Sequence, residues 1–443
     1  MKTARQLALD TLCRVESDGA YSAIAFDRAA KRSGLPPRDV SYAAALFYGV
    51  LERRITLDAM LSPYLKKGGA SLDCPVRNIL RMGAYELYYM DAAPDRAAVN
   101  EAVALARYAK KTSAGALINA VLRRFLREGK PLPLPDAGRD PEGYLSVRYG
   151  VPAWIIRQWT EQYGSGTAEA LAKAALSRPP LYVRANTLKT TADELAASLA
   201  LQGVKAEKCA SLENCLMLSG TGSIDRLPAY GDGLFYVQDF SSQMCVRALA
   251  PRPGDTVLDI CAAPGSKSFT AAQMMENRGR IFAFDLYPHK CRLIEKGAAR
   301  LGITIIKAKV RDGAQDEAPL APADRILCDV PCSGLGILRR KPEIRFKDEA
   351  ALAGLPELQY RILTNAARFL KPGGVLVYST CTTNREENEK VVERFLQENS
   401  WAAPLQFPAG FDTIGTIGNF MATLLPHQTG GDGFFFASLT RKG

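Results

Sequence analysis

The chain has 443 residues, 47% apolar and 23% charged, so it can bury more than one core and is neither a peptide nor a disordered linker. A formal charge of +11 and a pI of about 9.1 favour a polyanionic partner. No apolar run reaches the roughly 20 residues that cross a bilayer, and ten cysteines without a C-x-x-C pair, beside two histidines (His289 and His427), argue against structural zinc and a disulfide framework.

The start, Met1 to Arg5, leads into an amphipathic pattern without a signal-peptide core, so a cytoplasmic protein with no membrane and no metal is expected. From Thr3 to Arg127 the apolar spacing is helical throughout. Leu7, Ala8, Leu12 and Val15 recur at intervals of three and four, then Ala43, Ala44, Phe47, Val50 and Leu51, then Val99, Val103 and Leu105. Gly34-Leu35-Pro36-Pro37 and Asp91-Ala92-Ala93-Pro94 punctuate this all-α bundle. Residues 1–130 hold 21 Lys+Arg against 13 Asp+Glu, so +8 of the +11 sits here. Pro131-Leu132-Pro133-Leu134-Pro135 cannot be helical and marks the first domain boundary.

Residues 131–232 read as a linker and a small α+β domain. Pro152 to Leu176 is helical, Pro179-Pro180 stops it, Leu181–Asn186 is a strand, Asp193–Leu201 a helix and Cys215–Leu218 a strand. Residues 233–443 change texture: apolar runs ending in small or acidic residues alternate with helices. The runs are Val257–Ile260, Ile281–Asp285, Ile303–Val310, Ile326–Asp329 and Val375–Tyr378, the pattern of an α/β doubly wound parallel sheet. Phe420–Leu425 and Phe434–Leu439, around Gly430-Gly431-Asp432-Gly433, read as an antiparallel hairpin on its edge.

The first of these strands runs into Cys261-Ala262-Ala263-Pro264-Gly265-Ser266-Lys267 and a helix. Small residues let backbone approach a ligand closely, and Ser266 is positioned to cap that helix. Asp285 follows Gly265 by 20 residues and closes the second strand, where a carboxylate can hold ribose hydroxyls. A triphosphate loop is excluded, because it would need Gly where Cys261 and Ser266 stand. Alone, this loop equally suits a tight strand-to-helix turn; with Asp312 after the third strand and Asp329 closing the fourth, three acids share one sheet rim and a nucleoside cofactor fits.

Two cysteines follow strand ends: Cys332 in Pro331-Cys332-Ser333-Gly334 and Cys381 in Ser379-Thr380-Cys381-Thr382. If their strands are neighbours, both sulfurs meet in one cleft facing the cofactor. Carbon 5 of a pyrimidine is a poor nucleophile until a thiolate adds to C6, and elimination afterwards needs a base at the C5 proton. Two histidines make a Cys–His pair a poor fit, so a second cysteine is the sensible partner. Either cysteine alone reads equally as a small buried residue, as Cys328 inside its strand does. Lys267, Arg339, Arg340, Lys341 and Arg345 are candidates for the positive surroundings that favour a thiolate, with Arg339–Lys341 better suited to nucleic-acid phosphate.

Val257–Lys267, Asp329–Gly334 and Ser379–Thr382 with Asn384-Arg385-Glu386-Glu387-Asn388 resemble the NOL/NOP2/Sun family of RNA cytosine-5 methyltransferases, over roughly the last 210 residues. DNA cytosine-5 methyltransferases resemble the chain less, since they take their nucleophile from the Pro-Cys motif. The resemblance implies Cys381 as nucleophile and Cys332 as the residue that assists release. It also implies S-adenosylmethionine held by Cys261, Ala262, Ala263, Pro264, Gly265, Ser266, Lys267, Asp285, Asp312 and Asp329, with Asp329 close to the target base as well. One departure is Ser266, where the family loop commonly carries a second Gly.

In the basic bundle, Pro75–Leu87 and Ala116–Arg124 look like the helical RNA-binding fold of the antitermination factor NusB. A NusB-like domain fused to such a methyltransferase resembles the Sun/Fmu/RsmB type, which makes 5-methylcytosine in bacterial 16S ribosomal RNA. Under this resemblance Arg107, Lys110, Lys111, Arg123, Arg124 and Arg127 contact phosphate, although each equally suits a solvated helix face. The expected protein is a monomeric enzyme acting on 16S RNA, free or in an assembling small subunit. Transfer RNA or 23S RNA as substrate, and an RNA-binding assembly factor without catalysis, are the alternatives.

Overall fold

The computed structural model describes residues 2–69, 71–90, 94–315, 319–409, 411 and 419–443, and the chain divides into two compact units. The first joins residues 1–177 to 338–348; the second holds 178–337 and 349–443. The break read at Asp91-Ala92-Ala93 lies outside the described residues.

The first unit is all helical: α1 (Ala4–Asp18), α2 (Ser22–Ser33), α3 (Pro37–Glu52), α4 (Arg54–Leu61), α5 (Cys74–Tyr89), α6 (Asp95–Tyr108), α7 (Gly115–Arg127), α8 (Pro141–Tyr149), α9 (Ala153–Tyr163) and α10 (Ser165–Ala174). Helix α1 starts at a reciprocal cap, where the Gln6 N–H donates to Thr3 Oγ1 at 3.2 Å and the Thr3 N–H to Gln6 Oε1 at 3.0 Å. Its apolar stripe of Leu7, Leu12 and Val15 joins Phe47, Leu57, Met60, Ile79, Leu122 and Phe125 in one core. The helical stretch read from Pro152 to Leu176 is two helices, because Gly164 at φ 82° ends α9 and opens α10.

Segment Leu338–Asp348 belongs to this unit although it follows the Pro-Cys motif in sequence. Two charged side chains anchor it. Glu343 accepts from the Ser22 N–H at 3.3 Å and the Ser22 hydroxyl at 2.6 Å, an anionic cap on the first turn of α2. Arg345 is buried and donates to the carbonyls of Gly150 (3.1 Å), Leu338 (2.8 Å) and Ala175 (2.8 Å). Burial lowers its guanidinium to about 10, with Glu52 acting against the shift. Arg345, a sequence candidate for the thiolate's surroundings, is thus committed to backbone carbonyls of the helical unit.

The second unit opens with β1 (Leu181–Ala185), α11 (Ala192–Leu201), β2 (Lys205–Cys209), β3 (Leu212–Ser219), α12 (Pro228–Gly231) and β4 (Phe235–Val237). The strands form an antiparallel sheet in the order β2-β3-β1-β4. Helix α11 closes a core of Val183, Leu195, Leu199, Leu216 and Phe235 over it.

Next come α13 (Phe240–Leu249), β5 (Thr256–Asp259), α14 (Ser266–Met274), β6 (Arg280–Asp285), α15 (Pro288–Leu301), β7 (Ile306–Val310), β8 (Ala323–Asp329), α16 (Leu355–Ala367), β9 (Leu370–Thr380), α17 (Glu389–Glu398), β10 (Ala402–Pro404), β11 (Met421–Leu424), α18 (Pro426–Thr429) and β12 (Phe434–Arg441). Their sheet runs β10-β12-β9-β8-β5-β6-β7, with β11 paired to β12. Strands β9, β8, β5, β6 and β7 are parallel, and chain order reverses between β8 and β5, the crevice where such sheets bind ligands.

The closing hairpin takes the edge position expected of it. Strand β11 pairs with β12 around the intervening α18, β12 runs antiparallel beside β9, and β11 and β10 share the outer side of β12. Strand β12 is the inner one of the two because its unbroken apolar run Phe434-Phe435-Phe436-Ala437 is buried on both faces.

Replacing Arg345 with Met keeps the apolar stem but leaves three buried carbonyls without their donor. The variant should lose about 2–4 kcal/mol of stability; an unchanged urea midpoint would show that segment 338–348 is not anchored by this side chain.

Candidate active site

Strand β5 delivers Asp259 and then the turn 260–265, and α14 leaves from Ser266. Gly265 has φ 106°, and a Cβ there would lie 2.7 Å from the Phe269 ring, so both conformation and close approach require glycine. Gly265, and not Ser266, holds the N-cap position, with no side-chain cap; Ser266 is the first helical residue because the turn needs the left-handed conformation one residue earlier.

Asp259 is 1% exposed. Its Oδ2 accepts from the Ser268 hydroxyl at 2.6 Å, while Oδ1 is buried with no hydrogen-bond partner. Lys267 reaches strand β8: its ammonium lies 2.7 Å from Asp329 Oδ2 and 5.1 Å from the centre of the Phe434 ring. Burial is the largest single influence and lowers this lysine, but the charge and hydrogen bond of Asp329, joined by Cys245 and Asp259, together raise the ammonium above its usual range. Asp329 also accepts from the Ser379 hydroxyl at 2.8 Å, through Oδ1.

Asp285 closes β6 and is buried; the Tyr287 N–H (3.2 Å) and the Lys290 ammonium (3.3 Å) both meet its Oδ1. Asp312 follows β7 and closes its own turn, accepting from the Ala314 N–H at 2.9 Å. Cys261, Ala262, Ala263 and Pro264 form the turn itself, and burial raises the Cys261 thiol. The tight turn at Gly265, the orphaned oxygen of Asp259 and the carboxylate of Asp285 suit a small polar ligand with hydroxyl and amino groups.

The cysteines meet because β8 and β9 are parallel neighbours in a fixed register, with Asp329 opposite Ser379. Both chains leave the sheet at the same level, and Cys332 Sγ lies 3.3 Å from Cys381 Sγ. Both are partly buried. The Val330 N–H donates to the Ser379 carbonyl at 3.0 Å and the Gly336 N–H to the Cys381 carbonyl at 3.1 Å, which pins the two loops together. Gly336 must lack a side chain, since a Cβ would fall 2.0 Å from the Gly433 carbonyl oxygen. The hydrogen bond to Cys381, together with burial, holds the Cys332 thiol well above its usual range.

Sequence reasoning missed the polar groups beneath this pair. Glu387 is 1% exposed and accepts from the Ser333 N–H at 2.8 Å, the Ser333 hydroxyl, and the Gln359 amide at 2.9 Å. Its one signal was membership of the Asn384–Asn388 run. Asp259 stood in view as a strand end, and the Lys267–Asp329 pair joins positions 62 residues apart.

Of the basic candidates in the bundle, Arg107, Lys110, Arg123, Arg124 and Arg127 are exposed. Lys111 is paired with Asp73 at 2.5 Å and Arg124 with Glu128 at 2.8 Å. Among the described residues no helix is long and apolar enough to cross a membrane, and no cluster of His, Cys, Asp or Glu could hold a metal ion.

Residues 246–440 match a family model described as 16S rRNA methyltransferase RsmB/F, residues 2–127 match the NusB family, and residues 151–225 match the RsmF/B-like ferredoxin-like domain. A probable ribosomal RNA small subunit methyltransferase B of Bacillus subtilis is 36% identical, over 100% of this chain and 99% of that one. A ribosomal RNA small subunit methyltransferase B of Pseudomonas syringae is 32% identical over 97% and 96%. The solved structure of PH0851 superposes with a TM-score of 0.84 at 25% identity, covering 100% of this chain and 99% of that one.

Asp259 carries a pH signature. Burial pushes its carboxyl up to about 7, against the Ser268 hydrogen bond and with the Asp329 charge adding to the rise. The folded chain keeps a proton here that the unfolded chain releases near about pH 4, so this group's contribution is full below that pH and is lost as pH rises towards about 7, at about 1.4 kcal/mol per unit. Asp259→Asn should remove that slope from the urea midpoints of the cofactor-free protein; an unchanged slope would contradict the assignment.

Proposed function

Because the chain belongs to the RsmB/F family of 16S rRNA methyltransferases, we propose that it methylates carbon 5 of a cytosine in 16S ribosomal RNA through a covalent bond between Cys381 and C6. The observation that carries this reading is the sulfur pair, 3.3 Å apart at the carboxyl ends of two parallel strands beside the Gly265 turn. When bound, S-adenosylmethionine supplies an electrophilic methyl group. The turn 261–267 would hold its amino-acid end, Asp285 would accept from its ribose hydroxyls, and Asp259 and Asp312 would be further acceptors on the same rim.

The thiol pair divides the labour. The 3.3 Å contact lets either sulfur donate, and the raised Cys332 thiol assigns the one shared proton to Cys332, so the Cys381 proton passes to solvent and the Cys381 thiolate is the nucleophile. Attack of that sulfur on C6 moves the C5–C6 π pair onto C5, which forms the bond to the methyl carbon, and the pair of the broken methyl–sulfonium bond would stay on the cofactor's sulfur. With Cys381 then bonded to carbon, the partner that held the Cys332 proton is gone and that proton passes to solvent. The Cys332 thiolate takes the C5 proton, the C5–H pair becomes the C5–C6 π bond, and the C6–S pair returns to Cys381. Asp329, fixed by Lys267 and Ser379, offers its remaining lone pairs to the cytosine amino group.

Cys381→Ala should abolish methyl transfer, by about a thousandfold or more, while RNA affinity stays within about twofold. Cys332→Ala should let addition and methylation proceed and stall elimination, leaving a denaturant-resistant protein–RNA adduct on gels. Turnover in Cys381→Ala, or unimpaired turnover without adduct in Cys332→Ala, would contradict the assignment.

A further inference from the structure

Each cysteine is flanked by two residues, and different buried groups hold the two pairs. Around Cys381, Asn388 takes both neighbours: its Oδ1 accepts from the Thr380 hydroxyl at 2.5 Å, and its Nδ2 donates to the Thr382 carbonyl at 3.0 Å. Around Cys332, Gln359 and Glu387 do so. Gln359 Nε2 donates to the Pro331 carbonyl at 3.0 Å and to Glu387 Oε2 at 2.9 Å, and that same oxygen accepts from the Ser333 N–H at 2.8 Å. Glu387 Oε1 accepts from the Ser333 hydroxyl, from Asn384 Nδ2 at 3.2 Å and from the Thr382 hydroxyl at 3.5 Å. Gln359, Glu387 and Asn388 are all at most 1% exposed, so none of these bonds competes with bulk water.

We infer that Glu387 and Gln359 are positioning residues for release, clamping Cys332 from both sides, whereas Asn388 positions Cys381 for addition. This rests on the roles proposed above for the two sulfurs. Release requires Cys332 to reach the C5 hydrogen while the C6–S bond breaks towards Cys381. A displacement of the order of 1 Å at Cys332 costs that proton transfer about a hundredfold, but leaves the earlier attack by Cys381 in register. Two polar contacts of the Thr382 hydroxyl link the clamps, one with the Ser333 hydroxyl at 2.7 Å and a long one to Glu387 Oε1 at 3.5 Å, and they are too weak alone to align the sulfurs.

The test separates the two steps with full-length protein, 16S RNA transcript and S-adenosylmethionine. In Glu387→Ala the first methyl transfer, measured in a single turnover, should change less than about threefold. Adduct decay should slow about tenfold to a hundredfold, so that denaturant-resistant complex accumulates. Glu387→Gln should recover most of the release rate, because the Ser333 and Thr382 hydroxyls can rotate to accept from the amide. Gln359→Met removes one arm of the clamp at nearly constant volume and should give the same signature if Glu387→Ala fails to fold. Asn388→Ala should slow the first transfer without adduct. A merely structural network would lower both steps together, and equal loss in these variants would overturn the inference. Should Cys332→Ala itself form no adduct, the release role has failed and the clamp falls with it; adduct in Cys332→Ala but not in the clamp variants rejects the clamp alone.

Discussion

The parallel pairing of β8 with β9, in the register that sets Asp329 opposite Ser379, is the constraint from which the rest of the site follows. Backbone hydrogen bonds fix that register to the residue, since a slip by one would turn every side chain to the other face and break up the buried runs Ile326-Leu327-Cys328 and Leu376-Val377-Tyr378. Given it, two short loops leave the sheet side by side and two sulfurs separated by 49 residues of chain meet at 3.3 Å. The same register brings the Ser379 hydroxyl to Asp329, whose other oxygen holds the Lys267 ammonium.

Charge is handled differently at each layer of this site. Asp329 is partly exposed and has a fully committed lysine, so its carboxylate is held in place with a cation at contact distance. Asp259, deeper and with one hydroxyl donor, pays for burial by keeping its proton into the neutral range. Glu387 is as deeply buried, and its partners are backbone and side-chain dipoles from Ser333, Gln359 and Asn384. Neutral donors of this kind restrain geometry without adding a second charge beside the sulfurs, which suits a thiol pair whose proton must be free to move.

Much of this was legible in the chain, and the exceptions have physical causes. Alternating apolar runs announced β5, β6, β7, β8 and β9, and acids or cysteines just past their ends announced the rim, because strand ends set where side chains emerge. The helical spacing of the first 127 residues was equally plain. What the pattern did not carry is tertiary: that β12 inserts beside β9, that Leu338–Asp348 joins the helical unit through Arg345 and Glu343, and that Gly265 takes the cap position read for Ser266. Glu387 sat in plain view in an acidic run, where a solvated helix start is the ordinary reading. Its function depends on donors from Ser333 and Gln359, whose proximity no local period encodes.

The chemistry and the substrate meet in one assay: purified protein with unmodified 16S, 23S and transfer RNA and labelled S-adenosylmethionine, followed by nucleoside mass spectrometry of each RNA. Labelled 5-methylcytosine in 16S RNA and in neither of the others is the result expected of the cysteine pair and the family. Label on another atom of the base would contradict covalent attack at C6, and 5-methylcytosine in 23S or transfer RNA alone would contradict the substrate.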